Sequence, residues 1–529
     1  MRVDFLRQGR RKLRTGAVLT SLFLIVVLMG ALAPALGAKP GPSDFSRGFR
    51  KAVTVSGAQE HRAALQAIAD ANEGTRASGT AGYDQSAQYV YERLEAAGYS
   101  PEFQTFEFPF YRELSTPVFE RTDVEPDKSY APGTDFATMT YSGSGNVTAA
   151  VSAVDLIIPP GAAANTSTSG CETSDFAGFA AGSIALIQRG TCTFAIKATN
   201  AQTAGASAVV IFNEGQPGRT GVVAGTLGAP GYDIPVIGTT FAIGNELSNS
   251  VLNGLTGTEA HVKTETESEI RETVNVIAET ATGDPNRTVV IGAHLDSVIA
   301  GPGLQDNGTG SAGILEIAET FAAQDRVARN RLRFIWFGAE ELGLLGSRYY
   351  VDNLSQAERD QILLNLNFDM IGSPNFVRFV YDGDGTTGPA GPPGSGSIED
   401  VFVDYFDSQG LASEPTPFNG RSDYGPFIAV GIPAGGLFTG AEGIKTPAQA
   451  VTYGGTAGTA YDPCYHQACD TFANLSLTGF DQMLDAAAHA TLFFSKTKSN
   501  VDTNTAPVGA TGTGGGGGLH DETHEQDAS

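Results

Sequence analysis

The chain is short of cysteine, of histidine and of positive charge. Four cysteines and seven histidines stand among 529 residues, and 33 lysines and arginines face 58 aspartates and glutamates, for a formal charge of -25. The shortage of basic residues argues against nucleic acid and anionic membrane surfaces as partners, since both are held by clustered lysine and arginine. The acidity itself reads as solubility outside the cell. Cys171, Cys192, Cys464 and Cys469 never form a Cys-x-x-Cys pair, which argues against a thiolate metal framework. They fall instead into two locally spaced couples, as two disulfides of an exported chain would.

A length of 529 residues with 41% hydrophobic content exceeds what one core usually supports, so two folded domains with flexible ends are expected. Residues 1–38 read as a secretory signal peptide. Arg2, Arg7, Arg10, Arg11, Lys12 and Arg14 precede an apolar stretch over 17–36, with small residues at Ala33, Ala35 and Ala38. An uncleaved single span is the alternative, because the stretch approaches the roughly 20 residues that cross a bilayer. Arg10-Arg11 also leaves a twin-arginine route open, and no cysteine lies near the cleavage region to carry a lipid. Residues 39–130 read as the first part of a larger domain, with helices over 59–71 and 82–97 and a strand over 101–110. Residues 131–265 read as an insert and 266–498 as the main domain. Residues 499–529, glycine-rich and acidic, read as a disordered tail in which His520 and His524 are solvated. In the main domain, strands over 275–278, 288–293, 332–337 and 364–370 alternate with a helix over 313–323. This predicts an α/β fold with a mixed, mostly parallel central sheet flanked by helices.

The run Gly292-Ala293-His294-Leu295-Asp296 sets an imidazole and a carboxylate two residues apart after an apolar strand, on one sheet face and at its carboxyl end. A hydrolytic two-metal site needs a shared carboxylate, further nitrogen and oxygen ligands, and a free carboxylate to take a proton from water. The sequence supplies each of these. Asp306, in Leu304-Gln305-Asp306-Asn307-Gly308, lies at the mouth of a helix where glycine permits a tight path. Glu340 and Glu341 end another apolar strand; consecutive side chains diverge, so one can hold metal while its neighbour faces water. Asp369 again places a carboxylate at a strand end. His466 stands between Cys464 and Cys469, in a small loop that a disulfide would fix. Among the seven histidines only His294 and His466 occupy ligand positions, and His489 reads as packed in a helix.

Taken in order, His-x-Asp, Asp-Asn-Gly, Glu-Glu, Asn-x-Asp-Met and Tyr-His resemble the exported di-zinc aminopeptidases of the bacterial leucine aminopeptidase and aminopeptidase Y type, over residues 76–495. The resemblance implies the zinc exopeptidase fold and two Zn2+ per chain, with His294 and Asp369 on one, Glu341 and His466 on the other, and Asp306 bridging. It implies Glu340 as general base and then acid, and Asp296 as the carboxylate that orients His294. Tyr465 would donate to the developing oxyanion, while Arg421 and Phe438 belong to segments that line the specificity pocket. The implied activity is release of an apolar, leucine-like N-terminal residue from peptides by a secreted monomer, with no stable membrane partner once the signal is cleaved.

Residues 183–213 run as a strand, an Arg189-Gly190-Thr191-Cys192 turn, a helix bearing Lys197, and Gly205-Ala206-Ser207-Ala208-Val209-Val210. This segment is similar to the protease-associated domain, a small β-rich insert of exported peptidases, which implies a substrate-access or interaction role. Three alternatives remain at this point. A carboxypeptidase or deacylase on the same fold would need a basic pocket, whereas 435–439 is apolar. Glutaminyl cyclase works with one zinc, and a receptor-like relative would have lost ligands. Some relatives bind calcium beside a helix like that over 480–489, where Asp481 and Asp485 lie one turn apart; no N-terminal partner is evident and no site is assigned.

Overall fold

The computed structural model describes residues 44–498; the signal segment at 1–38 and the tail at 499–529 lie outside the described residues. Runs such as Val289-Val290-Ile291 and Phe334-Ile335-Trp336-Phe337 are apolar at every position, which suits a strand only if both faces of its sheet are covered. Both faces are covered. Asp284–His294 lies between Asn330–Phe337 and Ile362–Phe368, parallel to each, and Ala434–Phe438 continues the parallel set. Antiparallel strands Thr266–Glu279 and Glu102–Glu113 extend one edge. Phe379–Tyr381, antiparallel to Ala434–Phe438, and then Glu414–Thr416 complete eight strands at the other. Val289, Ile291, Phe334 and Trp336 share a core with the helices Val55–Ala71, Ala81–Ala96, Gly308–Ala323 and Leu477–Lys496. Val290, Ile335 and Phe337 pack with Tyr350, Val351 and Phe427 on the opposite face. The mixed α/β architecture is the one the strand and helix pattern predicts.

Several elements begin earlier than periodicity indicates, among them Val55–Ala71 and Asp284–His294, and two further extensions have a clear cause. The helix Gly308–Ala323 starts one turn before 313 because the Asn307 side chain accepts the Gly310 N–H at 2.9 Å and caps it. The strand Thr266–Glu279 starts well before 275 because it pairs along its whole length with Glu102–Glu113; its charged first half carries no apolar alternation to read. The corner of Asp481 and Asp485 is served by the chain's own cation, since Arg50 Nη1 lies 2.9 Å from Asp485 Oδ2.

The chain leaves this sheet at Glu113 and re-enters at its register partner Thr266. Between them a second eight-stranded sheet forms, whose members include Val118–Arg121, Gly145–Val154 and Gly254–Thr264. It has its own two cores, with Leu186, Val210 and Ile237 on one side and Ile187, Ile211 and Val236 on the other. Cys171 is bonded to Cys192 and Cys464 to Cys469. Among the described residues no helix is long and apolar enough to cross a membrane.

The helical layer also buries a titratable group. His61, on Val55–Ala71, is 1% exposed, with Nδ1 2.8 Å from the Tyr89 hydroxyl. Burial pushes its imidazole down to about 4, against the pull of Glu319. An unfolded chain takes up a proton near pH 6.5 that the folded chain refuses, so the contribution of His61 is complete above that pH. It declines toward pH 4 by up to roughly 3 kcal/mol. The difference in urea midpoint between wild type and His61→Gln should therefore shrink as the pH is taken from 7 to 4. A difference that stays constant over that range contradicts a buried neutral imidazole.

Candidate metal centre

Parallel strands end together, and the crevice at their carboxyl ends is where an open α/β sheet presents its functional groups. His294 is the last residue of its strand and pairs in register with Phe337. Glu340 and Glu341 follow shortly after Phe337, and Asp369 follows Phe368 directly. Ala339, Met370 and His466 take φ values of 53°, 50° and 57°, a left-handed conformation that costs a non-glycine residue about 1–2 kcal/mol. The chain thus turns sharply just before Glu340, just after Asp369, and at His466 itself.

These turns bring the predicted ligands to one place. His294 Nε2 lies 3.2 Å from Asp369 Oδ1 and 3.3 Å from Asp306 Oδ1. His466 Nε2 lies 3.2 Å from Asp306 Oδ2 and 2.9 Å from Glu341 Oε2. Asp306 thus stands between the two imidazoles and offers a different oxygen to each. Glu340 Oε2 is 3.9 Å from His294 Nε2. Asp296 does not share a strand face with His294, as the two-residue spacing suggests, because the strand stops at His294. Its main-chain oxygen lies 3.2 Å and its Oδ1 3.6 Å from His294 Nδ1. Its two carboxylate oxygens also accept the backbone N–H groups of Glu340 and Glu341, at 3.2 and 3.3 Å. One aspartate therefore ties the histidine segment to the glutamate doublet.

The loop that carries Asp306 is held from both sides. Arg76, wholly buried, donates to the carbonyls of Leu295, Pro302 and Gly303, and Arg62 donates to that of Leu304 at 3.0 Å. Asp470 accepts the N–H groups of Gln305 and Asp306 at 2.8 and 3.0 Å. Gly303, at φ 61°, is required: a Cβ there would stand 2.4 Å from the Ser297 Cβ. Ser422 donates to Asp369 Oδ2 at 2.7 Å and orients the carboxylate at the neighbouring strand end.

The carboxylates around the two imidazoles favour their charged forms. Burial alone would lower His294, but Glu340, Asp369, Asp296 and Asp306 hold it well above its ordinary range. Burial is likewise overcome at His466, where Asp306 and Glu341 raise the imidazole to about 10. Glu341 is pushed up to about 7 by burial and by Asp306, against the pull of His466. Its Oε1 is buried and accepts no hydrogen bond. Ligand atoms of His294, Asp306 and Glu341 lie within 4.8 Å of one another, as do those of His294, Glu340 and Asp369. This donor set of nitrogen and carboxylate oxygen fits a divalent ion of intermediate softness.

A cleft of about 200 Å³ opens over these groups, with Met370, Tyr381, Phe438 and Tyr461 on its apolar side. Arg421 and Tyr465 also line it. Arg421 is already engaged: Nη1 pairs with Glu442 at 2.7 Å and Nη2 donates to the Tyr465 hydroxyl at 3.1 Å. The Tyr465 ring stacks on His466 with centroids 3.8 Å apart. Its hydroxyl is held far above its usual range by burial and by Asp306 and Glu341, so it remains a donor. Tyr424 is buried, and its hydroxyl accepts the N–H groups of Asn419 and Gly420, which fixes the turn that presents Arg421.

Known proteins resemble the chain over most of its length. Residues 275–491 match the model of peptidase family M28, and residues 153–247 that of the PA domain. The chain is 46% identical over 466 residues to an aminopeptidase of Pseudomonas aeruginosa, covering 87% of this chain and 85% of that protein. It belongs to peptidase family M28. This M28 peptidase is an aminopeptidase, a hydrolase with a PA domain inserted in its sequence. It is also 41% identical over 419 residues to leucine aminopeptidase 2 of Trichophyton equinum, covering 78% of each chain. Among solved structures it resembles an aminopeptidase from Aneurinibacillus sp. strain AM-1, with a TM-score of 0.60, 26% identity and coverage of 87% and 98% of the two chains. A zinc aminopeptidase from Bacillus subtilis gives a TM-score of 0.55 at 26% identity, with coverage of 84% and 97%.

The strand-end ligand candidates of the M28 peptidase were legible in its sequence, but not the clamps on them: Asp470, Arg76, Arg62 and Ser422. Asp470 directly follows Cys469, inside a segment already singled out, yet nothing local says that its partners are N–H groups 164 and 165 positions earlier. Asp470→Ala would leave two buried donors unpaired, at a cost of about 1–3 kcal/mol for each. We expect a lower melting temperature together with a metal affinity reduced by about 10–100-fold, the size usual for groups that orient ligands. Differential scanning calorimetry and metal retention during dialysis against a chelator measure the two. Wild-type retention by the variant would show that the loop holds Asp306 without this clamp.

Proposed function

We propose that the chain is exported and removes an apolar, leucine-like residue from the N-terminus of peptides, with two zinc ions at the strand ends. The observation that carries the two-ion reading is the position of Asp306, whose separate oxygens face His294 and His466. In this reading His294 and Asp369 hold one ion, Glu341 and His466 the other, and Asp306 is shared. Bound zinc supplies Lewis acidity that makes water a nucleophile near neutral pH and polarises a carbonyl. The chain's own residues do the rest.

Glu340 takes the proton of the attacking water and passes it to the leaving amine. Burial, with Asp423 and Asp369 and against His294, raises its carboxyl above the ordinary range; cations held beside it would draw it back toward the ionised form that accepts a proton. The Tyr465 hydroxyl donates to the oxyanion of the tetrahedral intermediate. The concentration of carboxylates favours a substrate that brings a protonated α-amine, which limits cleavage to the first residue. Phe438, Met370 and Tyr461 supply an apolar wall for its side chain, in keeping with relatives named leucine aminopeptidase. Arg421, neutralised by Glu442, is not free to recruit an acidic side chain, which disfavours a carboxypeptidase selective for glutamate. Two disulfides support an oxidising destination.

Leucine p-nitroanilide should be hydrolysed and its N-acetylated analogue should not, with activity lost on chelation and regained with Zn2+. Glu340→Gln should lower kcat by about 10²–10⁴-fold with little change in KM or metal content. Equal cleavage of the free and acetylated substrates would rule out the aminopeptidase reading, and full activity of Glu340→Gln would remove the glutamate from the proton path.

A further inference from the structure

A second group of nitrogen and oxygen donors lies in the helical layer, apart from the residues at the strand ends. His61 extends from the helix Val55–Ala71 toward Gly308–Ala323, which carries Glu316 and Glu319. Its Nδ1 is taken by the Tyr89 hydroxyl at 2.8 Å, which fixes the ring. Its Nε2 has no hydrogen-bond partner although the residue is 1% exposed. That nitrogen faces Glu319 Oε2 at 3.7 Å and Glu316 Oε2 at 3.9 Å, beyond hydrogen-bonding reach.

These separations are slightly wider than those of ligands around a zinc ion. Atoms 2.0–2.2 Å from zinc at the tetrahedral angle stand roughly 3.3–3.6 Å apart, so a shift of a few tenths of an ångström suffices here. The carboxylates are held by contacts that leave the relevant oxygens usable. Glu316 accepts the Thr54 N–H at 2.9 Å through Oε1 and keeps Oε2 free. Glu319 is gripped by Arg93 at 2.6 Å on both oxygens, and each carboxylate oxygen has a further lone pair. Gly57 makes room: a Cβ at that position would stand 2.2 Å from Glu316 Oε2. Arg93 offsets one of the two negative charges.

We propose that His61, Glu316 and Glu319 form a structural site for a divalent transition-metal ion of the zinc class, with water completing its shell. The ion joins the first long helix to Gly308–Ala323, which begins two residues after Asp306. An imidazole nitrogen in the set favours this class over calcium, which takes oxygen ligands. The neutral state of the buried ring at working pH is the ligating form.

The probe is Zn2+ and the protein is the full chain. Crystals soaked in zinc chloride should show anomalous difference density at the zinc edge between His61 Nε2 and the two glutamates, whatever is found near His466. In solution, His61→Gln should retain one zinc ion per chain fewer than wild type after gel filtration, with kcat/KM unchanged. Density confined to the strand-end cluster overturns the proposal, as does equal zinc content in the two proteins. The crystallographic arm needs no variant, so a folding failure of His61→Gln leaves the proposal exposed to refutation.

Discussion

Four carboxylates, Asp306, Glu340, Glu341 and Asp369, converge with the buried imidazole of His294 and the more exposed one of His466, and this concentration of like charge is the constraint around which the rest of the molecule is arranged. Carboxylates so placed repel one another, and removal from water costs each of them solvation. They converge only because the backbone leaves them no other direction. The strand ends set their height, three left-handed residues set the turns, and Asp296, Asp470, Arg62, Arg76 and Ser422 hold the segments by hydrogen bonds made largely with main-chain groups. Supports of this kind suit a site whose ligands must not relax away from one another.

The division of labour explains what could be read from the chain alone. Ligand identity was legible because metal chemistry restricts residue types, and the end of an apolar strand is a local feature visible in a short window. His294, Glu340, Glu341 and Asp369 sit at or just after such strand ends, Asp306 lies at the mouth of a helix, and His466 stands inside a cysteine couple. The parallel core was legible for the same reason, since Val289-Val290-Ile291 has no polar position and so needs cover on both faces. The clamps were not legible. Arg76 serves carbonyls more than 200 positions away, and an arginine destined for a buried loop looks like any other arginine. Asp296 was read as an orienting group for His294; that its oxygens also grip the Glu340 and Glu341 amides depends on a parallel register that no spacing rule supplies.

The two-sheet architecture separates two tasks. The first sheet carries the strand-end residues and their supports, and the second has its own pair of cores and a disulfide. Its attachment at the paired residues Glu113 and Thr266 means that it is set into the ladder of an antiparallel pair and leaves the parallel strands uninterrupted. Variation in the insert therefore need not propagate to the spacing of the strand ends, which is the geometry the chemistry depends on.

That attachment also has a consequence for how the chain is made. Glu102–Glu113 leaves the ribosome long before its partner Thr266–Glu279, because the whole insert is translated between them. At typical synthesis rates the intervening roughly 150 residues take about 8–30 s to appear. For that interval a twelve-residue strand with phenylalanine at positions 103, 106, 108 and 110 has no neighbour to pair with, and the insert can already close around its own cores. The order of synthesis thus presents the second sheet whole before the outermost strand of the first sheet meets its partner, and leaves that strand's phenylalanines uncovered in the meantime.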